Sequence, residues 1–192
     1  GIYCESSFSV RQLNLYDIAL EGSIPWELGL LSQLRILCLA VNKLNGSIPT
    51  ELGKLVALEF LQLGMNSLVG TLPTELGNLV ALDYLEISGN TMMRTIPTEL
   101  GKLTRLRYLY FYMNSLEGTI PTEIAQITTL RNFSVYENSM SGALPREIGH
   151  LTALEYLVLN TNLFTGTLPT ELGQIVSLQI FHVKDNLLDG TI

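Results

Sequence analysis

Seven of the eight tyrosines in this 192-residue chain, Tyr16, Tyr84, Tyr108, Tyr110, Tyr112, Tyr136 and Tyr156, fall into three columns of a 24-residue period; Tyr3 stands outside them. Their rings offer stacking area and a directed hydroxyl, which is a chemistry of recognition. A neighbouring column carries charge: Arg11, Arg35, Glu59, Asp83, Arg107, Arg131 and Glu155. Tyr and Arg are enriched among the contacts that dominate interface energies. The candidate binding residues are therefore Phe60, Tyr84, Glu86, Arg107, Tyr108, Tyr110, Tyr112, Arg131, Tyr136 and Tyr156. A mixed-charge aromatic surface of this kind suits a protein or peptide ligand, and the same rings could stack on a glycan. Aromatic residues also favour strands and pack across neighbouring ones, so a purely structural role competes with the functional one.

Catalytic chemistry has little to stand on. His150 and His182 occupy different phases of the period and lie more than one period apart, so neither a metal cluster nor a His-activated nucleophile is expected. Asp83 and Glu86 share a strand, but paired carboxylates on an open sheet lack the enclosing pocket that would tune them. No cofactor, metal or catalytic residue is expected. With 18 acidic and 11 basic residues the net charge is −7, which lacks the basic footprint of a nucleic-acid binder and gives no attraction to anionic lipid. The apolar run at 108–113 is far shorter than the ~20 residues that span a bilayer.

The elements that position these columns are read from the constant positions. Seven prolines fall at Pro25, Pro49, Pro73, Pro97, Pro121, Pro145 and Pro169, each 24 residues from the next, and 192 is eight such periods. Residues 58–81, LEFLQLGMNSLVGTLPTELGNLVA, typify the unit L-x-x-L-x-L-x-x-N-x-L-x-G-x-[IL]-P-x-E-[LI]-G. The period-two pair within the Leu triplet is strand spacing and predicts one short strand per repeat, apolar side inward. Asn42, Asn66, Asn90, Asn114, Asn138, Asn162 and Asn186 follow the triplets and predict a structural ladder, because an interior carboxamide needs partners that adjacent turns can supply. A Gly column suggests positive φ. Pro at the start of E-[LI]-G suits the first residue of a short helical turn, and the Glu two places later is expected to be solvated near its positive end.

This unit resembles the leucine-rich repeat, and its G-x-[IL]-P extension resembles the plant-type subclass found in receptor-like kinase ectodomains and polygalacturonase-inhibiting proteins; the monotonous wording is also similar to algal and diatom repeat families. The resemblance covers the whole chain. It implies an α/β leucine-rich repeat solenoid, with a curved parallel sheet on the concave side and short 3-10 or helical turns on the convex side. The variable strand positions then line the concave face. It further implies non-catalytic recognition of a protein or peptide by a receptor-like or secreted protein at the cell surface or outside the cell, with inhibition of a secreted enzyme as the alternative.

Residues 1–9 resemble the end of an extracellular N-terminal cap, whose Cys pairs with one upstream, and residues 10–192 read as an array of about eight repeats cut before the next expected Pro. Cys38 is expected to be a reduced surface thiol. Arg94 replaces a column Gly, so its turn must tolerate a side chain, and Ala125 replaces the Gly of E-L-G and is expected to lengthen that helical turn. Thr columns before and after the Pro suggest, as a weaker alternative, an ice-binding surface. Two N-glycosylation sequons begin at Asn45 and Asn132, and a glycan on Asn132 would obstruct the concave face.

Overall fold

The computed structural model describes residues 9–190. The cap segment with Cys4, and Thr191 and Ile192, lie outside the described residues. Sixteen short strands are numbered in chain order. The odd ones are β1 (Gln12–Asn14), β3 (Ile36–Cys38), β5 (Phe60–Gln62), β7 (Tyr84–Glu86), β9 (Tyr108–Tyr110), β11 (Asn132–Ser134), β13 (Tyr156–Val158) and β15 (Ile180–His182). They form one eight-stranded sheet in sequential order. Every pairing is parallel and in the same register, as in Tyr84↔Tyr108, Leu85↔Leu109 and Glu86↔Tyr110. A column in the sequence is therefore a row in space.

The one-strand expectation is corrected, because each repeat carries two. The even strands β2 (Glu21–Ser23), β4 (Lys43–Gly46), β6 (Ser67–Thr71), β8 (Thr91–Arg94), β10 (Ser115–Gly118), β12 (Ser139–Gly142), β14 (Leu163–Gly166) and β16 (Leu187–Leu188) build a second parallel sheet. The segment between Asn and Pro is extended but short and mostly polar, so its alternation carries no strong apolar signal. The Gly column ends this strand with positive φ, +77° at Gly118, and Arg94 adopts the same conformation at +69°. A second left-handed column just before each Asn has no single residue-type signature: Val41, Met65, Met113, Glu137 and Thr161 have φ of 53–58°, and only Gly89 and Asp185 are of types that favour it.

Between the sheets and the next repeat lie 3-10 turns of five residues, such as Thr74–Asn78. Pro73 precedes its turn in an extended conformation (φ −63°, ψ 134°), and its carbonyl accepts the Leu76 N–H at 3.2 Å. Pro is thus the capping residue and not the first helical one, since an extended ψ carries the chain out of β6. The turn containing Ala125, Thr122–Gln126, also has five residues, so Ala does not lengthen it. Glu51, Glu75, Glu99, Glu123, Glu147 and Glu171 are half-buried, not fully solvated, because the adjacent coil covers them; Glu27 is exposed.

The core is one column of apolar side chains per position, with Leu37, Leu61, Leu85, Leu109, Phe133 and Leu157 all fully buried in consecutive coils. The Asn ladder forms as its spacing predicts. Asn66 Nδ2 donates to Leu63 O of its own coil and Leu39 O of the previous one, both at 3.0 Å, while its Oδ1 accepts the Leu44 N–H at 3.0 Å. Each carboxamide therefore ties both sheets of one coil to the next.

Candidate functional site: an aromatic row on the inner sheet

The register places Phe60, Tyr84 and Tyr108 in one row and Tyr112 and Tyr136 in another, with Tyr110 between the rows. Phe60 stacks on Tyr84 (ring centroids 4.4 Å apart, planes at 12°), and Tyr112 stacks on Tyr136 (4.6 Å, 6°). Tyr84 lies 5.9 Å from Tyr108 and 5.6 Å from Tyr110, and Tyr110 lies 6.3 Å from Tyr112 in an edge-on arrangement. Six of the predicted residues thus form a continuous aromatic surface across β5, β7, β9 and the segment after β11. Tyr156 stands apart, because Asn132 separates it from Tyr108 in the same row.

Arg107 and Arg131 are exposed along one edge of this surface, but each is matched by an acid. Arg107 forms a bidentate pair with Asp83 and lies over the Tyr108 ring at 5.6 Å. Arg131 pairs with Glu155 at 3.0 Å, and Arg35 with Glu59 at 3.2 Å. The sequence reading treats these residues as separate contacts and misses that their one-coil spacing pairs them across adjacent strands. Exposed pairs of this kind contribute only tenths of a kcal/mol to stability. Their more definite effect is to neutralise that edge.

Glu86 is the unexpected member. It is buried, at 5% exposure, with its carboxylate accepting the N–H of Ser88 at 2.9 Å and of Gly64 at 3.2 Å. A side chain at Gly64 would occupy the same space as this carboxylate. The small residues Gly64 and Ser88 therefore make room for Glu86, a feature readable only when adjacent columns are considered together. Burial pushes the Glu86 carboxyl above the usual range, against the lowering effect of its backbone hydrogen bonds. Burial, followed by the proximity of Glu86, likewise raises the Tyr84 and Tyr112 hydroxyls. Tyr110 is raised by burial and held back by a hydrogen bond with Asn132.

A measurable pH dependence follows from the raised Glu86 pKa. The folded state holds that proton more tightly than the unfolded chain, so the charged carboxylate costs stability above the folded pKa. That cost is removed as pH falls towards the unfolded value. Glu86→Gln should therefore gain on the wild type at pH 7.5 and lose that advantage at pH 5, by about 1.4 kcal/mol per unit of separation between the two pKa values. Urea midpoints of both proteins at the two pH values check this; a difference that does not change with pH contradicts it.

Cys38 is buried, not a surface thiol: it sits between Asn14 and Gln62 in its row, and its S–H donates to Gln62 Oε1 at 3.2 Å. His150 and His182 are exposed at the end of a 3-10 turn and in β15. Among the described residues, no group of three or more His, Cys, Asp or Glu side chains is arranged to hold a metal ion, and no helix is long and apolar enough to cross a membrane.

The family model described as a leucine-rich repeat region matches residues 9–162. The chain belongs to the leucine-rich repeat family. This leucine-rich repeat chain is similar to the ectodomain of the plant membrane receptor kinase GASSHO1/SCHENGEN3 from Arabidopsis thaliana, solved in complex with CASPARIAN STRIP INTEGRITY FACTOR 2. The two are 40% identical with a TM-score of 0.93, over 93% of this chain and 22% of that one. The plant peptide hormone receptor RGFR1, solved with RGF2, is 36% identical with a TM-score of 0.90, over 91% of this chain and 28% of that one. A plant ice-binding protein is 27% identical with a TM-score of 0.72, over 95% of this chain and 66% of that one. This leucine-rich repeat segment thus spans about a quarter of the length of those two receptor chains. No curated protein matches it.

Proposed function

We propose that this leucine-rich repeat segment is a non-catalytic recognition module that binds a protein or peptide through the inner aromatic row, within a receptor-like or secreted protein exposed outside the cell. The observation that carries this reading is the unbroken chain of ring contacts from Phe60 to Tyr136. A purely structural aromatic would need no continuity over four coils. The similar receptor ectodomains were solved with peptide hormones or a named factor bound, which supports the same class of ligand here.

The likeness to a plant ice-binding protein supports a second reading, in which the Thr columns present a regular surface. It is the weaker one. The hydroxyls of Thr50, Thr74, Thr98, Thr122 and Thr170 each donate to the following Glu at 3.3–3.4 Å, and the other column is broken by Ser47 and Ala143.

The test is selection from a displayed random-peptide library on the wild type and on Tyr108→Ala/Tyr110→Ala/Tyr112→Ala. Wild type should enrich sequences that the variant binds at least tenfold more weakly, a loss of about 1.4 kcal/mol or more. Equal binding by a folded variant would remove the inner face as the site.

A further inference from the structure

The two N-glycosylation sequons lie on different sheets, and the fold gives them different surroundings. Asn45 is the third residue of β4; Leu44 before it is buried, so the alternation of the strand turns Asn45 outward, where it is exposed together with Ser47. Gly46 between them has φ +72°, a conformation that glycine takes at no steric cost. The register sets Asn45 between Ser23 of β2 and Ser67 of β6, both exposed and both small. There is room on either side of its carboxamide. In the next two coils the same outward column holds Val69 and Met93, two apolar side chains that are exposed.

Asn132 is the opposite case. It is half-buried on β11, where the register sets it between Tyr108 of β9 and Tyr156 of β13. Phe133 is fully buried, and the Ser134 hydroxyl is buried without a hydrogen-bond partner. A sugar on this carboxamide would have to enter the inner face between two tyrosines, and the hydroxyl of its sequon is inside the coil.

We propose that Asn45 is the N-glycan acceptor of this chain and that Asn132 stays unmodified in the folded protein. This rests on the extracellular reading above, which takes the chain through the compartment that holds the donor, an oligosaccharide on a lipid diphosphate. Asn45 Nδ2 attacks the anomeric carbon of the first N-acetylglucosamine. The N–C bond forms, the C–O bond to the diphosphate breaks, the lipid diphosphate leaves, and Nδ2 gives up one proton to the transferring enzyme; nothing is oxidised or reduced. A chain modified at Asn45 folds with its sugar in solvent. Strands of a sheet lie about 4.8 Å apart, so the first sugar reaches Val69 on the next strand, and its C–H face removes that side chain from water. The inner rings from Phe60 to Tyr136 are left clear.

The full chain is secreted from mammalian cells behind a cleavable signal and mapped by mass spectrometry after enzymatic release of N-glycans in heavy-oxygen water, which converts each occupied Asn to labelled Asp. Label is expected at Asn45 and not at Asn132. Asn45→Gln and Ser47→Ala should each remove one glycan from the intact mass, while Asn132→Gln should leave that mass pattern unchanged. Trimmed to a single N-acetylglucosamine, the protein should show nuclear Overhauser contacts between the sugar and the Val69 methyls. Folded, secreted protein without a glycan at Asn45, or with one at Asn132, would overturn the assignment; a sugar that makes no contact with Val69 would overturn its seat on that column. Protein isolated from its native source without the glycan that the secreted chain carries would remove the extracellular reading and leave Asn45 as the acceptor.

Discussion

Asn90→Ala should lower the unfolding free energy by about 3 kcal/mol, measured as a shift in urea midpoint at constant slope. Asn90 is buried, with its Nδ2 donating to Leu63 O at 3.2 Å, Ile87 O at 3.0 Å and Ser88 O at 3.3 Å, and its Oδ1 accepting the Leu68 N–H at 2.9 Å. The losses are not equal. Leu63 O keeps a bond from Asn66, Ile87 O keeps one from Asn114, and Ser88 O keeps the Met65 N–H. The Leu68 amide loses its Asn90 acceptor inside the coil, where an unsatisfied donor costs roughly 1–3 kcal/mol. The void left by the side chain adds to that. Amide exchange should quicken first at Leu68 and its neighbours in β6. A midpoint shift equivalent to less than 1 kcal/mol, with exchange unchanged there, would mean that water or a backbone shift replaces the ladder.

The same ladder explains why the scaffold was legible in the sequence and the site less so. Asn, Leu and Pro recur because each performs one job identically in every coil, and a repeated job writes a repeated letter. The second left-handed column is equally regular in space but occupied by Val41, Met65, Glu137 and Thr161, since the neighbouring bonds impose the conformation whatever the side chain. No residue-type pattern could reveal it. The second sheet was hidden for a related reason: short polar strands gain their order from the coils on either side and not from their own alternation. For the site, row membership followed from period alone, and the contacts from Phe60 to Tyr136 followed from parallel register. What required coordinates was the direction in which each side chain turns. Glu86 reaches back towards Gly64, and the edge arginines turn sideways to Asp83 and Glu155. Cys38 turns to Gln62 of its own row, one coil on.

Gly101→Ala should cost about 2 kcal/mol even though alanine is the better helix former by up to ~1 kcal/mol. The added Cβ would lie 2.5 Å from Glu123 O and 2.8 Å from Glu123 Cβ, so two backbones of adjacent 3-10 turns would have to separate. Contact with backbone cannot be relieved by a rotamer change. The chain contains its own version of this substitution, since Ala125 occupies the same column one coil later. There a narrow apolar void opens between coils, bordered by Pro121, Ile124, Ala125, Phe133, Pro145 and Ile148. The void is what a Cβ wedge at the outer edge should produce, because holding the turns apart leaves the side chains beneath them underpacked. Two wedges in adjacent coils share a neighbour, so Gly101→Ala should be partly rescued by Ala125→Gly, which lets the next coil close up. Urea unfolding of the two single variants and the double variant measures the coupling. Strict additivity within about 0.3 kcal/mol would show that each inter-coil gap is set independently, and that the spacing of the solenoid does not pass from one turn to the next.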